Sequence, residues 1–317
     1  MLAPLLFALT PTVQPNDWVV YQPAKPNGKQ IVFLSGDEEY RSEEGLPQLA
    51  KILALRHGFR CTVLFSVNGK GEIDPDEHHN EPGLEALDTA DLVVMLLRFR
   101  EWPDDQMKHF DAYVKRGKPI IALRTSTHAF DLKSGPYEMY GWQSKTWPGG
   151  FGRHVLGETW VSHWGNHGQQ GTRGIIVARH PVLKDVQDIF VTTDVYEAHP
   201  PEDCEVLVRG QVVDGLHDDD QPANIEKQNS LGQNQPVNDP MMPIVWTRGK
   251  TLTTTMGAAT DLLNEGLRRL IVNGAYWMTG LDVPAKADVT LVGDYKPSPF
   301  GFGGYKKGVK PGDLASN

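Results

Sequence analysis

Residues 31–41 read IVFLSGDEEYR and residues 90–101 read ADLVVMLLRFRE. Each is a short, unbroken apolar run that stops at a cluster of charges. A strand buried on both faces looks like this, because neither side of it meets water. Working outward from the first run, Leu46, Leu49, Ile52 and Leu53 recur at helical spacing and Gly58 follows as a stop. Phe59 to Phe65 is a second apolar run. After the run at 90–97, Pro103 opens a helix with Met107, Phe110 and Val114 on one face and Gly117 at its end. Pro119 to Leu123 (PIIAL) is a fourth run. Strands that alternate with helices predict a doubly wound, mostly parallel α/β sheet with right-handed crossovers and helices on both faces.

The rest of the chain is less regular. Residues 1–28 form a leader or arm, with Pro at 4, 11, 15, 23 and 26. The core domain runs over 29–284, and 285–317 is an extended Gly/Pro/Lys tail that wraps the surface. Residues 125–173 are rich in Gly, Trp, His and Ser. Strands are expected at 173–178, 205–213, 243–246 and 251–256, and a last helix over 261–279. The polar stretch 214–240 reads as a surface insertion or a mobile loop. The 32 glycines and 23 prolines in 317 residues exceed the usual share of roughly 12%, and they fall largely in the arm, the 125–173 segment and the tail.

Charge and composition exclude several classes. Lys and Arg number 31 against 40 Asp and Glu, a net charge of −9, which argues against nucleic-acid binding. No run approaches the ~20 apolar residues of a membrane span. Cys61 and Cys204 both lie in strand-like apolar surroundings and read as buried thiols, with a single disulfide as the alternative. Leu2 to Leu9 is a short apolar run without a basic start. It is compatible with the remnant of an export signal and equally with a cytoplasmic chain.

In an open α/β sheet, ligands bind beyond the carboxyl ends of the strands. Those ends carry Asp37, Glu38, Tyr40 and Arg41 after the first run, Arg98 and Arg100 after the third, and Arg124, Thr127 and His128 after the fourth. Six of eleven histidines fall between 128 and 199, among them His154, His163 and His167. The spacing of His163 and His167 can present two imidazoles to one metal if helical, although the surrounding glycines speak against a helix. The alternative is loop histidines that bond backbone or substrate. Trp142, Trp147, Trp160 and Trp164 cluster within 23 residues, suited either to stacking on a sugar ring or to a local core. Neither a glycine-rich phosphate loop nor a serine-hydrolase elbow is present. Ser126 beside His128 is the only nucleophile–base pairing at the elbow position, and adjacency alone does not make one.

The runs quoted above, together with GGFGRHVLGETWVSHWG (149–165), RHPVLKDV (179–186), DVYEAH (194–199) and RGKTLTTTMGAATDLLNEGLRRLIVNGAYWMTGLDVP (248–284), resemble the ThuA-like, trehalose-utilisation family over roughly 30–284. The tail motif PSPFGFGGYKKGVKP (297–311) resembles that of exported ThuA-domain proteins, which implies a periplasmic or extracytoplasmic location. The resemblance implies a flavodoxin-like, class I glutamine-amidotransferase-like fold. It also implies a role in metabolism of trehalose or related disaccharides through 3-keto sugars. The amidotransferase Cys and its flanking glycines are missing at the elbow, so glutaminase activity is not expected. Many members carry a Gly-His after the last strand, where this chain has Met256-Gly257-Ala258. By position the family's histidines fall on His128, His154 and His180, and its D-x-Y on Asp194 and Tyr196.

The expectation is an enzyme acting on a carbohydrate as a hydrolase, lyase or isomerase. His128, His154, Asp37 and Glu38 would be the acid–base groups. Tyr40, Arg41, Arg98, Arg100, Arg124, Thr127, Trp160, Trp164, Asp194 and Tyr196 would hold substrate. A divalent metal such as zinc would sit on His128, His154, His163 and His167. The alternatives are a non-catalytic sugar-binding module and an interaction scaffold. The expected partner is a small carbohydrate, and assembly into a homo-oligomer stays open.

Overall fold

A computed structural model describes residues 17–315. The apolar run at 2–9 lies outside the described residues. The chain forms, in order, β1 (Trp18–Tyr21), β2 (Gln30–Gly36), α1 (Ser42–His57), β3 (Arg60–Phe65), β4 (Leu92–Leu97), α2 (Asp104–Lys115) and β5 (Ile120–Leu123). After these come β6 (Ser162–His163), β7 (Thr172–Ile176), β8 (Phe190–Val191), β9 (Tyr196–Glu197) and β10 (Glu205–Val212). The last elements are β11 (Glu226–Gln228), β12 (Asn234–Pro236), β13 (Met242–Arg248), β14 (Thr251–Thr254) and α3 (Glu265–Met278).

One ten-stranded sheet has the order β1-β3-β2-β4-β5-β14-β13-β10-β7-β8. Its centre, β3-β2-β4-β5-β14, is parallel. This is the doubly wound order in which the chain reverses direction between β2 and β4, opening a crevice at their carboxyl ends. The arm contributes β1, antiparallel to β3 at one edge. At the other edge β13, β10, β7 and β8 extend the sheet in antiparallel fashion. The fold is therefore the expected α/β class, with a sheet more mixed than the sequence pattern indicates.

The alternation along β2 explains its apolar run. Ile31 and Phe33 point into the core shared with α1 and α3, whereas Val32 and Leu34 point into the core shared with α2 and Phe130, Tyr140 and Phe151. Gly36 ends β2 because nothing larger fits. A Cβ there would stand 2.9 Å from Ser66 Oγ and 3.0 Å from Arg100 Cδ.

Three expectations need correction. The last helix starts at Glu265, not 261. Asn264 caps it by accepting from the Leu267 N–H at 2.8 Å, and Asp261 instead opens a single tight turn. Residues 214–240 lie mostly at the surface, as expected, yet they hold the β11–β12 hairpin and bury Ala223, Asn229 and Val237. Cys204 is only half-buried, unlike Cys61. Both cysteines are free thiols, so the alternative of a disulfide falls.

Candidate functional site

β5 ends at Leu123, and the next residue turns the chain. Arg124 has φ 38°, a left-handed backbone unusual for a side chain that is not glycine. This is the elbow of the fold, and it aims a fully buried guanidinium into the crevice floor. Nη1 donates to Thr255 O (2.8 Å) and Asp194 O (3.2 Å), while Nη2 donates to Asp194 Oδ1 (2.9 Å) and Tyr40 Oη (3.1 Å). Tyr40 and Tyr196 cover its two faces, each ring centre 4.2 Å away. Arg124 thus ties the ends of β2, β5, β14 and the 194–196 segment to one point. It is a post for the site rather than a free substrate clamp.

Asp194 is the partner on which the rest converges. β6 pairs with β9 so that His163 stands opposite Tyr196. Nδ1 of His163 lies 2.8 Å from Asp194 Oδ2, and Nδ1 of His167 lies 3.0 Å from Oδ1. Burial alone would push the Asp194 carboxyl upward. The hydrogen bonds from His163 and His167 and the Arg124 charge outweigh it and hold the group well below the usual carboxylate range. His167 also faces a second carboxylate, its Nε2 3.3 Å from Glu39 Oε1. The bond to Asp194 lifts its proton affinity against the effect of burial. Glu39 itself is raised by burial and by the Asp37 charge.

Aromatic rings wall this group. Trp160, half-buried, packs 5.0 Å from His163, 4.7 Å from Tyr196 and 5.1 Å from His128. Phe99 continues the wall at 4.9 Å from His128 and 5.3 Å from Trp142. The tail closes the other side, with Phe300 at 5.5 Å from both Tyr40 and His167. The side chains of His163 and His167 stay about a third exposed, at 36% and 35%.

A second ionic group fills the reversal point between β2 and β4. Glu38 binds Arg98 and, at 2.9 Å, Arg100. Arg100 is fully buried and donates to Arg98 O, Ser66 Oγ, Pro75 O and Glu77 O as well. Asp37 is also spoken for: its carboxylate accepts from the Glu39 N–H (2.8 Å), the Tyr40 N–H and Thr125 Oγ1. These groups build the floor, with Asp37 and Arg100 wholly buried and Glu38 nearly so.

The other residues singled out from sequence separate in space. His128 is 4% exposed and sits behind Trp160 and Phe99. Burial, then the charges of Arg98, Arg124 and His163, hold it neutral far below its ordinary range. Thr127 Oγ1 reaches its Nδ1 at 3.2 Å. His154 does not join the cluster; it is exposed and stacks on Trp147 at 5.0 Å. Trp164 is fully buried, its indole donating to Val237 O, so no face is open for a ligand. Arg41 is buried and bonds Gly301 O in the tail. His180 caps a short turn at 181–183. Ser126 donates to Met95 O inside the core. Gly152 lets the His154 turn press on this region, since a Cβ there would collide with Thr127 O.

Sequence reading missed Glu39 as a site residue, and also Lys227 and Phe300. Lys227 donates to the carbonyls of His163 and Trp164. A cavity of about 730 Å³ lined by Ile176, His180, Trp277 and Leu281 shares no residue with this site.

The chain is similar to several known proteins. The family described as ThuA, trehalose utilisation, matches residues 30–278. A ThuA-like protein from Parabacteroides merdae is 17% identical with a TM-score of 0.51, covering 86% of this chain and 100% of its own. Another from Bacteroides uniformis is 17% identical with a TM-score of 0.49, covering 80% and 92%. PurLQS from Thermotoga maritima is 8% identical with a TM-score of 0.43, covering 79% and 99%. No curated protein matches the chain.

Proposed function

The chain belongs to the ThuA family of trehalose utilisation, and on that footing we propose that it is an enzyme of carbohydrate metabolism. Its substrate class is trehalose, a related disaccharide or a 3-keto derivative, its reaction a hydrolysis, elimination or isomerisation. It lacks glutaminase activity, because Arg124 occupies the elbow and neither cysteine stands there. A location outside the cytoplasm belongs to the same reading.

The observation that carries the proposal is the convergence of His163, His167 and Asp194 on one exposed point, with Glu39 beside them. Asp194 stays anionic and braces the two imidazoles. Braced in this way, the His163 ring in its imidazolium form presents an N–H against which a substrate oxygen can develop negative charge. Glu39, with its raised proton affinity, is placed to give or take the proton. In a 3-keto sugar the carbonyl oxygen takes up the electron pair left when the neighbouring C–H loses its proton. Trp160 offers an apolar face to the ring. Glu38, Arg98 and Arg100 position the floor and do not react. A divalent metal such as zinc is the candidate cofactor of this reading.

The test is incubation of the protein with 3-keto-trehalose and with trehalose, with products followed by NMR. Turnover that Glu39→Gln and His163→Ala suppress supports the enzyme. Saturable binding without turnover favours the sugar-binding alternative. Neither binding nor turnover of either sugar removes the carbohydrate reading.

A further inference from the structure

We infer that His163, His167 and Asp194 form a site for one divalent transition-metal ion of the zinc class, oriented from outside by Glu39. The inference rests on the same crevice as the carbohydrate reading but not on any sugar.

One donor atom from each of the three residues lies within 4.8 Å of the other two. The Nδ1 atoms of His163 and His167 sit 2.8 and 3.0 Å from the two oxygens of one carboxylate. Ligands held about 2.0–2.1 Å from a common ion are separated by about 3 Å when they occupy neighbouring positions. Two imidazoles and one carboxylate, with positions left for water or a substrate oxygen, are the donor set of a catalytic zinc or related ion.

His167 supplies the independent observation. It stands between two carboxylates, Asp194 at Nδ1 and Glu39 at Nε2. A carboxylate at each ring nitrogen fixes the orientation of the imidazole. With an ion bound, Nε2–H would donate to Glu39 and the Nδ1 lone pair would go to the metal. A carboxylate on the far nitrogen of a ligating histidine is the usual outer partner that fixes its tautomer and ring plane. Lys227, bonded to the carbonyls of His163 and Trp164, fixes the backbone of the first ligand.

The opposing charges are also on view. Arg124 pairs with Asp194 Oδ1 at 2.9 Å, and Arg98 approaches Glu39 at 3.9 Å. Arg124 occupies Asp194 Oδ1 and lowers the attraction for a cation, while Asp194 Oδ2 faces His163. The site differs from the set expected from sequence: His163 and His167 remain, Asp194 enters, and His128 and His154 leave.

The experiment uses the full chain, stripped with chelator and dialysed against Zn²⁺ or Co²⁺. Bound metal is measured by elemental analysis and by the visible absorption of Co²⁺, with circular dichroism checking the fold. One equivalent per chain is expected. His154→Ala should keep that stoichiometry, and the His163→Ala/His167→Ala pair should lose it. Glu39→Gln should weaken affinity by roughly 10- to 100-fold. Asp194→Asn is a poorer probe, because it leaves Arg124 buried without its partner. No saturable equivalent in the folded wild type overturns the site, as does undiminished binding by the folded double variant. A protein that binds one zinc and leaves 3-keto-trehalose untouched keeps the metal site and removes the carbohydrate reading. Turnover undiminished after the ion is stripped does the reverse for any role of the metal in the reaction.

Discussion

Two carboxylates stand at the rim of the same sheet and are treated in opposite ways. Glu38, at the end of β2, is enclosed by Arg98 and Arg100, and Arg100 has its remaining N–H groups on backbone carbonyls and Ser66. Asp194 is as deeply buried, but two of its partners are imidazoles whose rings reach solvent. The first network is closed and can only hold shape. The second transmits the state of a buried anion to atoms a ligand can touch. The contrast separates rim charges that build the crevice from those that face it, which the residue types alone do not do.

The sharpest way to break the contrast is His163→Ala. If the open network is the reacting one, turnover of 3-keto-trehalose should fall by about 10²–10³, the usual effect of losing one preorganised donor. The thermal midpoint should move little, because the ring is a third exposed. A large loss of stability with turnover retained would exchange the roles assigned to the two networks.

The closed network should answer through stability. Arg100→Ala leaves Glu38 buried beside a vacant guanidinium site and should cost about 3–5 kcal/mol in denaturant unfolding. Arg98→Ala, whose side chain is 21% exposed, should cost about 1 kcal/mol. Equal losses at the two positions would show that burial does not govern the network.

Much of this was legible in the sequence, for a physical reason. Strands buried on both faces must be apolar throughout, so the runs at 31–34, 59–65, 90–97 and 119–123 announce themselves. The parallel sheet then fixes which chain ends meet. That logic places Glu38, Arg98, Arg100 and Arg124 on one rim. It cannot tell that Arg100 is sealed, since the groups sealing it are carbonyls of Pro75 and Glu77. The convergence of His163 with Asp194 depends on a two-residue pairing, β6 with β9, too short to leave a periodic signal. Trp160 and Trp164 look alike in sequence, and only packing makes one a wall and the other core. Phe300 arrives from a tail with no periodicity, through contacts 260 residues distant from Tyr40.

A finer probe of the closed side is Glu81. It is wholly buried beside Arg100; one oxygen accepts from Ser66 Oγ at 3.0 Å and the other has no partner. Burial lifts its pKa to about 8, although Ser66 and Arg100 pull it down. The folded state therefore holds a proton that the unfolded chain releases near its ordinary value. Stability must fall as pH rises from about 4.5 to about 8 on this account. Glu81→Gln keeps the acceptor for Ser66 and removes the titration. Its thermal midpoint should gain on the wild type between pH 5 and pH 9. Parallel curves for the two proteins would mean that Glu81 is not held neutral by the fold.

The smallest effect expected is at Phe300, and it tests whether the open side is open by construction or only for want of a cover. The tail is anchored where it crosses α1. Gly301 N–H donates to Glu39 O at 2.7 Å, Ser298 N–H donates to Glu44 Oε2 at 2.6 Å, and Arg41 reaches Gly301 O. These bonds are to backbone or to neighbouring side chains, so Phe300→Ala should leave the tail in place. It should cost about 1 kcal/mol or less from a partly buried ring. What it removes is the ring set against Tyr40 and His167, and with it one apolar wall of the crevice. KM for the keto sugar should then rise severalfold with kcat little changed, because the groups that react stay braced by Asp194 and Arg124. A fall in kcat without a change in KM would instead mean that the ring positions His167, and that the tail acts on the reacting network rather than on the space around it.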